Sequence, residues 1–149
     1  MTPENFSGKE FLTAWKEFRK SLPTDDEAID MVAEFWSRCP TVSRTFDPYD
    51  CGSWPSAWEL IDSGLICQNG LALGMAYTIV LSDPSWEDRV ELAMTDTGDE
   101  QILLVIIDNQ HVLNYSYDKK ESIEKINIKS IEVFNFDGKG FKIKEAQGV

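Results

Sequence analysis

Residues 71–81 (LALGMAYTIVL) leave no polar face, because Leu71, Ala72, Leu73, Met75, Ala76, Tyr77, Ile79, Val80 and Leu81 surround the helix they form. A helix that is apolar all round belongs at the centre of a domain, with every other element packed about it. Even counted from Gln68, at 14 residues, the segment falls short of the about 20 that a bilayer span needs, so Gly70 and Gly74 are close-packing points, not a membrane dimer motif. The wider stretch 54–81 adds a short amphipathic helix, a break at Gly64, and Cys67 at or just before the first turn of the buried helix. There, free backbone N–H groups and the positive end of the helix dipole stabilise a thiolate, which makes Cys67 the candidate nucleophile.

In chain order, Phe11, Leu12, Trp15, Phe18 and Leu22 are spaced for an amphipathic helix over 8–22. Its expected opening is near Ser7, with Glu10 in capping-box position, and it closes before Pro23. Thr24 is expected to cap a second helix over 25–38, striped by Ile29, Val32, Phe35 and Trp36 and ended by Pro40. Residues 41–53 are turn formers leading to a third helix over 55–61, with Pro55 in its first turn after Ser53 or Trp54. Beyond residue 81 the hydrophobic period becomes two. Strands are expected at 90–95, in the continuous apolar run 102–107, and at 111–117, 126–129, 131–136 and 141–144, with a loop over 118–124 and a hairpin turn at 137–140. Helices first and antiparallel strands after them make one α+β domain over residues 1–149. In it the buried central helix packs on the sheet, and the run 102–107 is the strand covered on both faces.

A net charge of −12 and a pI near 4.4 set a field that repels phosphate backbones and anionic membranes, so neither nucleic acid nor a membrane is an expected partner. Solubility is the main reading of that charge, and docking of a basic partner the other. The first ten residues lack a basic region followed by an apolar core, so no signal peptide is expected and the compartment is cytoplasmic. Cys39, Cys51 and Cys67 are odd in number and form no CxxC, which favours reduced thiols. One histidine and scattered cysteines supply no metal ligand set, and no glycine loop carries a phosphate signature, so no cofactor is expected.

Trp54, Ser56, Glu59, Leu60, Gly64, Cys67 and Ala72 follow one another much as in a W-x-T-P-x-E-x-L segment leading to G-D-C-E-D-x-A. Residues 100–104 and 112–115 stand where G-H-A-V-L and V-L-D-N would follow. In these segments, over roughly residues 54–117, the chain resembles the bacterial transglutaminase-like cysteine proteinases. The resemblance implies a papain-like or transglutaminase-like fold with Cys67 at the nucleophile position. It also puts Gln101 in place of the general-base histidine and Asn114 in place of the orienting aspartate. A glutamine takes no proton at neutral pH, so an asparagine behind it has nothing to orient. The acids flanking the cysteine are replaced by Leu65, Ile66, Gln68 and Asn69. A degenerate member is therefore implied: a catalytically inactive domain that works as a protein interaction or assembly module. More weakly, the WPSAWEL phrasing is similar to small proteins of large tailed phages, which would place the chain in a host cytoplasm or a virion.

The same residues carry plainer roles. Cys67 is equally a small buried hydrophobe at a helix start, and Gln101 and Asn114 are polar strand-end residues suited to backbone hydrogen bonds. His111, the only histidine, fits a turn or surface position. The alternative function is a thiol hydrolase, a cysteine peptidase or amidase, in which His111 serves Cys67 or Cys51. Trp54, Trp58 and Glu59 are expected beside the cleft, with Trp86 and Tyr115 completing the core and its rim. The triad positions predict that Cys67 and Gln101 approach within roughly 4 to 6 Å, with Asn114 on the far side of Gln101. Burial predicts slow alkylation of Cys67, with Cys51 labelling first.

Overall fold

A computed structural model of the chain describes residues 6, 8–116 and 118–144. The expected cap at Ser7 and the strand end at Tyr117 lie outside the described residues. Four helices come first: α1 (Gly8–Ser21), α2 (Glu27–Ser37), α3 (Ala57–Ser63) and α4 (Gln68–Val80). Six strands follow: β1 (Val90–Asp96), β2 (Gln101–Ile107), β3 (His111–Ser116), β4 (Lys119–Ser122), β5 (Lys129–Phe136) and β6 (Phe141–Ile143). They form one antiparallel sheet in the order β4-β3-β2-β1-β5-β6.

Every residue of α4 from Gly70 to Val80 is buried. Leu73, Ala76 and Ile79 are inaccessible to solvent, as a helix without a polar face requires. Its few small and polar side chains fix how the other helices dock. At Gly74 an added Cβ would lie 2.7 Å from the Trp36 ring, so only glycine lets the indole of α2 rest on the α4 backbone. One turn later the Thr78 hydroxyl accepts from Trp15 Nε1 (2.9 Å) and Trp36 Nε1 (3.1 Å) and donates to the Gly74 carbonyl. Two buried indoles, from α1 and α2, thus share a single acceptor on α4.

The sheet has two covered faces. Leu92, Met94, Leu103, Val105, Ile107, Leu113 and Phe134 face the helices, in the same cluster as Leu73 and Ile79. Ala93, Ile102, Leu104, Ile106 and Val112 face the other way, beneath Ile123, Ile126 and Ile128. Those three isoleucines lie between β4, at one edge, and β5, beyond β1, so the connection crosses the back of the sheet. Residues 102–107 are consequently all buried, as expected of a strand covered on both faces.

Several boundaries differ from expectation, each for a local reason. α2 starts at Glu27, not at a Thr24 cap, and the Asp25 carboxylate accepts from the Glu27 N–H at 3.1 Å. Ser56, not Ser53 or Trp54, caps α3: its hydroxyl accepts from Glu59 N while the Glu59 carboxylate accepts from Ser56 N. Pro55 therefore precedes the helix. The stretch read as a loop over 118–124 contains the edge strand β4, and residues 126–128 are the back-face cover, not a strand. Lysines at the start of β4 hid a strand whose hydrophobic period is absent because it lies at an edge. Among the described residues no helix is long and apolar enough to cross a membrane.

Candidate functional site

Gly64 ends α3 with φ 65°, a left-handed turn that glycine adopts freely, and the chain reverses into Cys67, the N-cap of α4. Cys67 is 3% exposed. The Thr45 hydroxyl donates to its sulfur at 3.4 Å. Burial pushes the Cys67 thiol up, but that hydroxyl, together with the nearby backbone N–H groups of Thr45, Gly70 and Asn69, which make no cap hydrogen bond to the sulfur, outweighs it and holds the thiol below its ordinary value. Cys67 is buried, as expected, and around it the donors offset the desolvation.

The two residues after Cys67 tie α4 to the sheet. Strands β2 and β3 pair at Ile107 with His111, Ile106 with Val112 and Val105 with Leu113, and then separate. Asn114 causes the separation, since at φ 72° it bends the strand into the left-handed region that asparagine tolerates better than most residues. Side chains fill the wedge. Asn69 Oδ1 accepts from Leu103 N (3.0 Å), and Asn114 Nδ2 donates to the Leu103 carbonyl (3.0 Å) and the Gln68 carbonyl (3.1 Å). Gln68 Nε2 donates to Asn114 Oδ1 at 3.2 Å. The amides thus replace the strand-to-strand hydrogen bonds that β3 stops making.

Gln101 begins β2 two residues, about 7 Å, before Leu103. It is exposed, and the Tyr49 hydroxyl donates to its Oε1. The first turn of α4 and the starting end of β2 are therefore spanned by the loop over 41–53, through Thr45 on Cys67 and Tyr49 on Gln101. Among the described residues no hydrogen bond joins Gln101 to Cys67 or to Asn114. Asn114 bonds instead to Gln68 and Leu103, so the expected order, with Asn114 behind Gln101, is replaced by an amide clasp.

Other candidates lie apart. His111 pairs with Ile107, four residues or about 13 Å along β2 from Leu103, and its Nε2 is 3.4 Å from Asp26 Oδ2. The structure does not bring it to Cys67. Nor does it bring it to Cys51, whose turn lies against β6, with Trp54 on Phe134 of β5 at 4.6 Å, three strands from β3. Trp54 and Glu59 share a depression with Thr45, Phe46 and Leu60. Trp58 does not join them: it is 49% exposed and turned to α1, edge-on to Trp15 at 5.1 Å and under the Arg19 guanidinium. Trp86 is fully buried, whereas Tyr115 is 41% exposed. Among the described residues no three His, Cys, Asp or Glu side chains converge as metal ligands. Sequence reasoning missed Thr45 and Tyr49, in a loop without periodicity, and treated Gln68 and Asn69 only as replacements for lost acids.

No family model and no curated protein matches the sequence. Solved structures do match. Legionella pneumophila LapG in a calcium-bound structure superposes with a TM-score of 0.66 at 18% identity, covering 93% of this chain and 82% of LapG. An EGTA-treated LapG structure gives 0.69 at 16% identity, over 94% and 79%. A third LapG structure gives 0.67 at 19% identity, over 93% and 80%. At such identity the likeness is one of fold: this chain has an α+β, transglutaminase-like fold.

Proposed function

We propose that the chain is a degenerate member of the transglutaminase-like cysteine proteinases, a binding or assembly domain for a protein partner that does not cleave it. One observation carries the reading: the sole histidine sits at the opposite end of β2 from the α4 N-terminus, facing Asp26, while Gln101 is engaged by Tyr49. Peptide cleavage by a thiol needs a group that takes the thiol proton and returns it to the leaving amine, within hydrogen-bond reach. Gln101 and Asn114 supply only amides. The amide clasp also occupies the wedge between β2 and β3. Incubation of the protein with unstructured protein substrates, beside a Cys67→Ala variant, tests the reading. Equal, background-level cleavage by both is expected, and cleavage that depends on Cys67 would overturn it.

A second reading keeps the thiol in use. The donors around Cys67 lower its pKa, as they would for a nucleophile, which favours a thiol hydrolase whose proton acceptor is not His111. Cys67-dependent turnover that survives His111→Ala would select it.

A further inference from the structure

A cavity of about 290 Å³ opens between the end of α2, the first turns of α4 and the end of β3. Its volume falls at the small end of the range for ligand pockets. Its walls divide by chemistry. Ala33, Trp36, Leu71 and Met75 are apolar, and all four come from the buried faces of α2 and α4. On the other side stand the amide clasp and the rim of β3. Both Asn114 Nδ2 protons are used on the carbonyls of Gln68 and Leu103, which fixes the amide with its oxygen toward Gln68. Gln68 Nε2 is used on that oxygen, and Gln68 Oε1 has no partner among the described residues. Gln68 Oε1 is thus a spare acceptor in the wall, beside the Thr41 and Ser116 hydroxyls, which accept or donate as a ligand requires. Asp118 adds a carboxylate, no Lys, Arg or His lines the space among the described residues, and Tyr115 stands at the rim with a half-exposed ring. Cys39, also in the wall, is pushed up to about 12 by burial and stays uncharged at neutral pH.

We infer that this cavity binds a primary alkylammonium group on a stem of about four carbons, such as a lysine side chain, with the stem against Trp36, Leu71 and Met75 and the cation on Asp118, Gln68 Oε1 and the Tyr115 ring. An aliphatic stem carrying one cationic tip is the shape that buries its methylenes and keeps its charge on acceptors. An aromatic face and a carboxylate at one mouth both attract such a tip. The net charge of −12 draws cations to the surface in general, and the apolar wall selects those with a stem. The inference deepens the binding-domain reading and rests on it.

The test is a titration of the full chain, followed by amide and indole NMR, with Nα-acetyl-lysine methylamide, its neutral isostere Nα-acetyl-norleucine methylamide, and 1-aminobutane. The lysine amide is expected to saturate, shifting the side-chain amides of Gln68 and Asn114 and the Trp36 indole, and to bind about tenfold tighter than the norleucine amide. Asp118→Asn should weaken it about five- to tenfold with an unchanged thermal midpoint, since asparagine accepts the φ of 55° that Asp118 adopts. A lysine amide tighter than 1-aminobutane supports a protein side chain as the source, and the reverse supports a free amine. Equal affinity for the norleucine amide, no effect of Asp118→Asn, or shifts spread over surface carboxylates instead of the cavity would each overturn the site. Cys67-dependent proteolysis overturns the binding-domain reading and leaves this titration standing, whereas a silent titration overturns the cavity alone.

Discussion

Cys39 and Cys67 are both almost fully buried, at 7% and 3% exposure, yet their thiols move in opposite directions. Cys39 follows the C-terminal end of α2, where backbone carbonyls point outward, and its sulfur faces the Pro40 carbonyl at 3.6 Å. A thiol there must stay protonated, and burial pushes it up to about 12. Cys67 sits at the N-terminal end of α4, where N–H groups point outward and Thr45 adds a hydroxyl. The difference teaches that burial alone does not set a buried thiol's chemistry; the direction in which neighbouring backbone dipoles point decides whether desolvation is offset.

The largest expected effect is in the alkylation profile. With iodoacetamide, the midpoint for Cys67 should fall below that of a free cysteine, whereas Cys39 should stay unreactive until the pH approaches 12. At neutral pH Cys67 should then carry much the larger thiolate fraction. Both sulfurs are covered, so the pH midpoint read by mass spectrometry, not the absolute rate, is the measure. Coincident midpoints would break the comparison.

Next comes the docking that holds the two helices in place. Thr78→Val leaves two buried indole N–H groups without an acceptor, and should cost on the order of 2 to 5 kcal/mol in chemical denaturation. A loss below about 0.5 kcal/mol would mean that Trp15 and Trp36 find other partners.

A smaller effect sharpens the account of Cys67. Thr45→Val removes one donor and keeps the shape, and should raise the Cys67 midpoint toward that of a free cysteine, while Cys39 does not move. No shift would assign the lowering to the helix N–H groups alone.

A last effect, confined to alkaline pH, is on stability against pH. Cys39 holds its proton more tightly folded than unfolded, so its contribution is fully present below the unfolded value near 8.5 and is lost as pH rises toward 12. Cys67 has the opposite sign: its contribution is present above the unfolded value and is lost as pH falls through the lowered folded one. Cys39→Ala should therefore flatten the alkaline fall in a thermal-melt series, and Cys67→Ala should not.

By itself the sequence determined the elements whose periodicity is forced by burial. Residues 71–81 had to be a central helix because no polar face exists to meet water, and residues 102–107 had to be covered twice because six apolar side chains point alternately both ways. Cys67 as the N-cap was legible for the same reason, since it directly precedes that helix. Only the tertiary structure decided what surrounds it. The loop over 41–53 has no hydrophobic period, so nothing local announced that Thr45 would reach Cys67 or that Tyr49 would take Gln101. The charged residues of β4 concealed an edge strand, and the isoleucines after it read as a strand although they cross the back of the sheet. Which strand end faces the helix start depends on register and strand order, and those place His111 far from Cys67 and Asn114 against Gln68. Local patterns report whether a side chain is buried; the choice among possible neighbours comes from long-range packing, which no short window of residues contains.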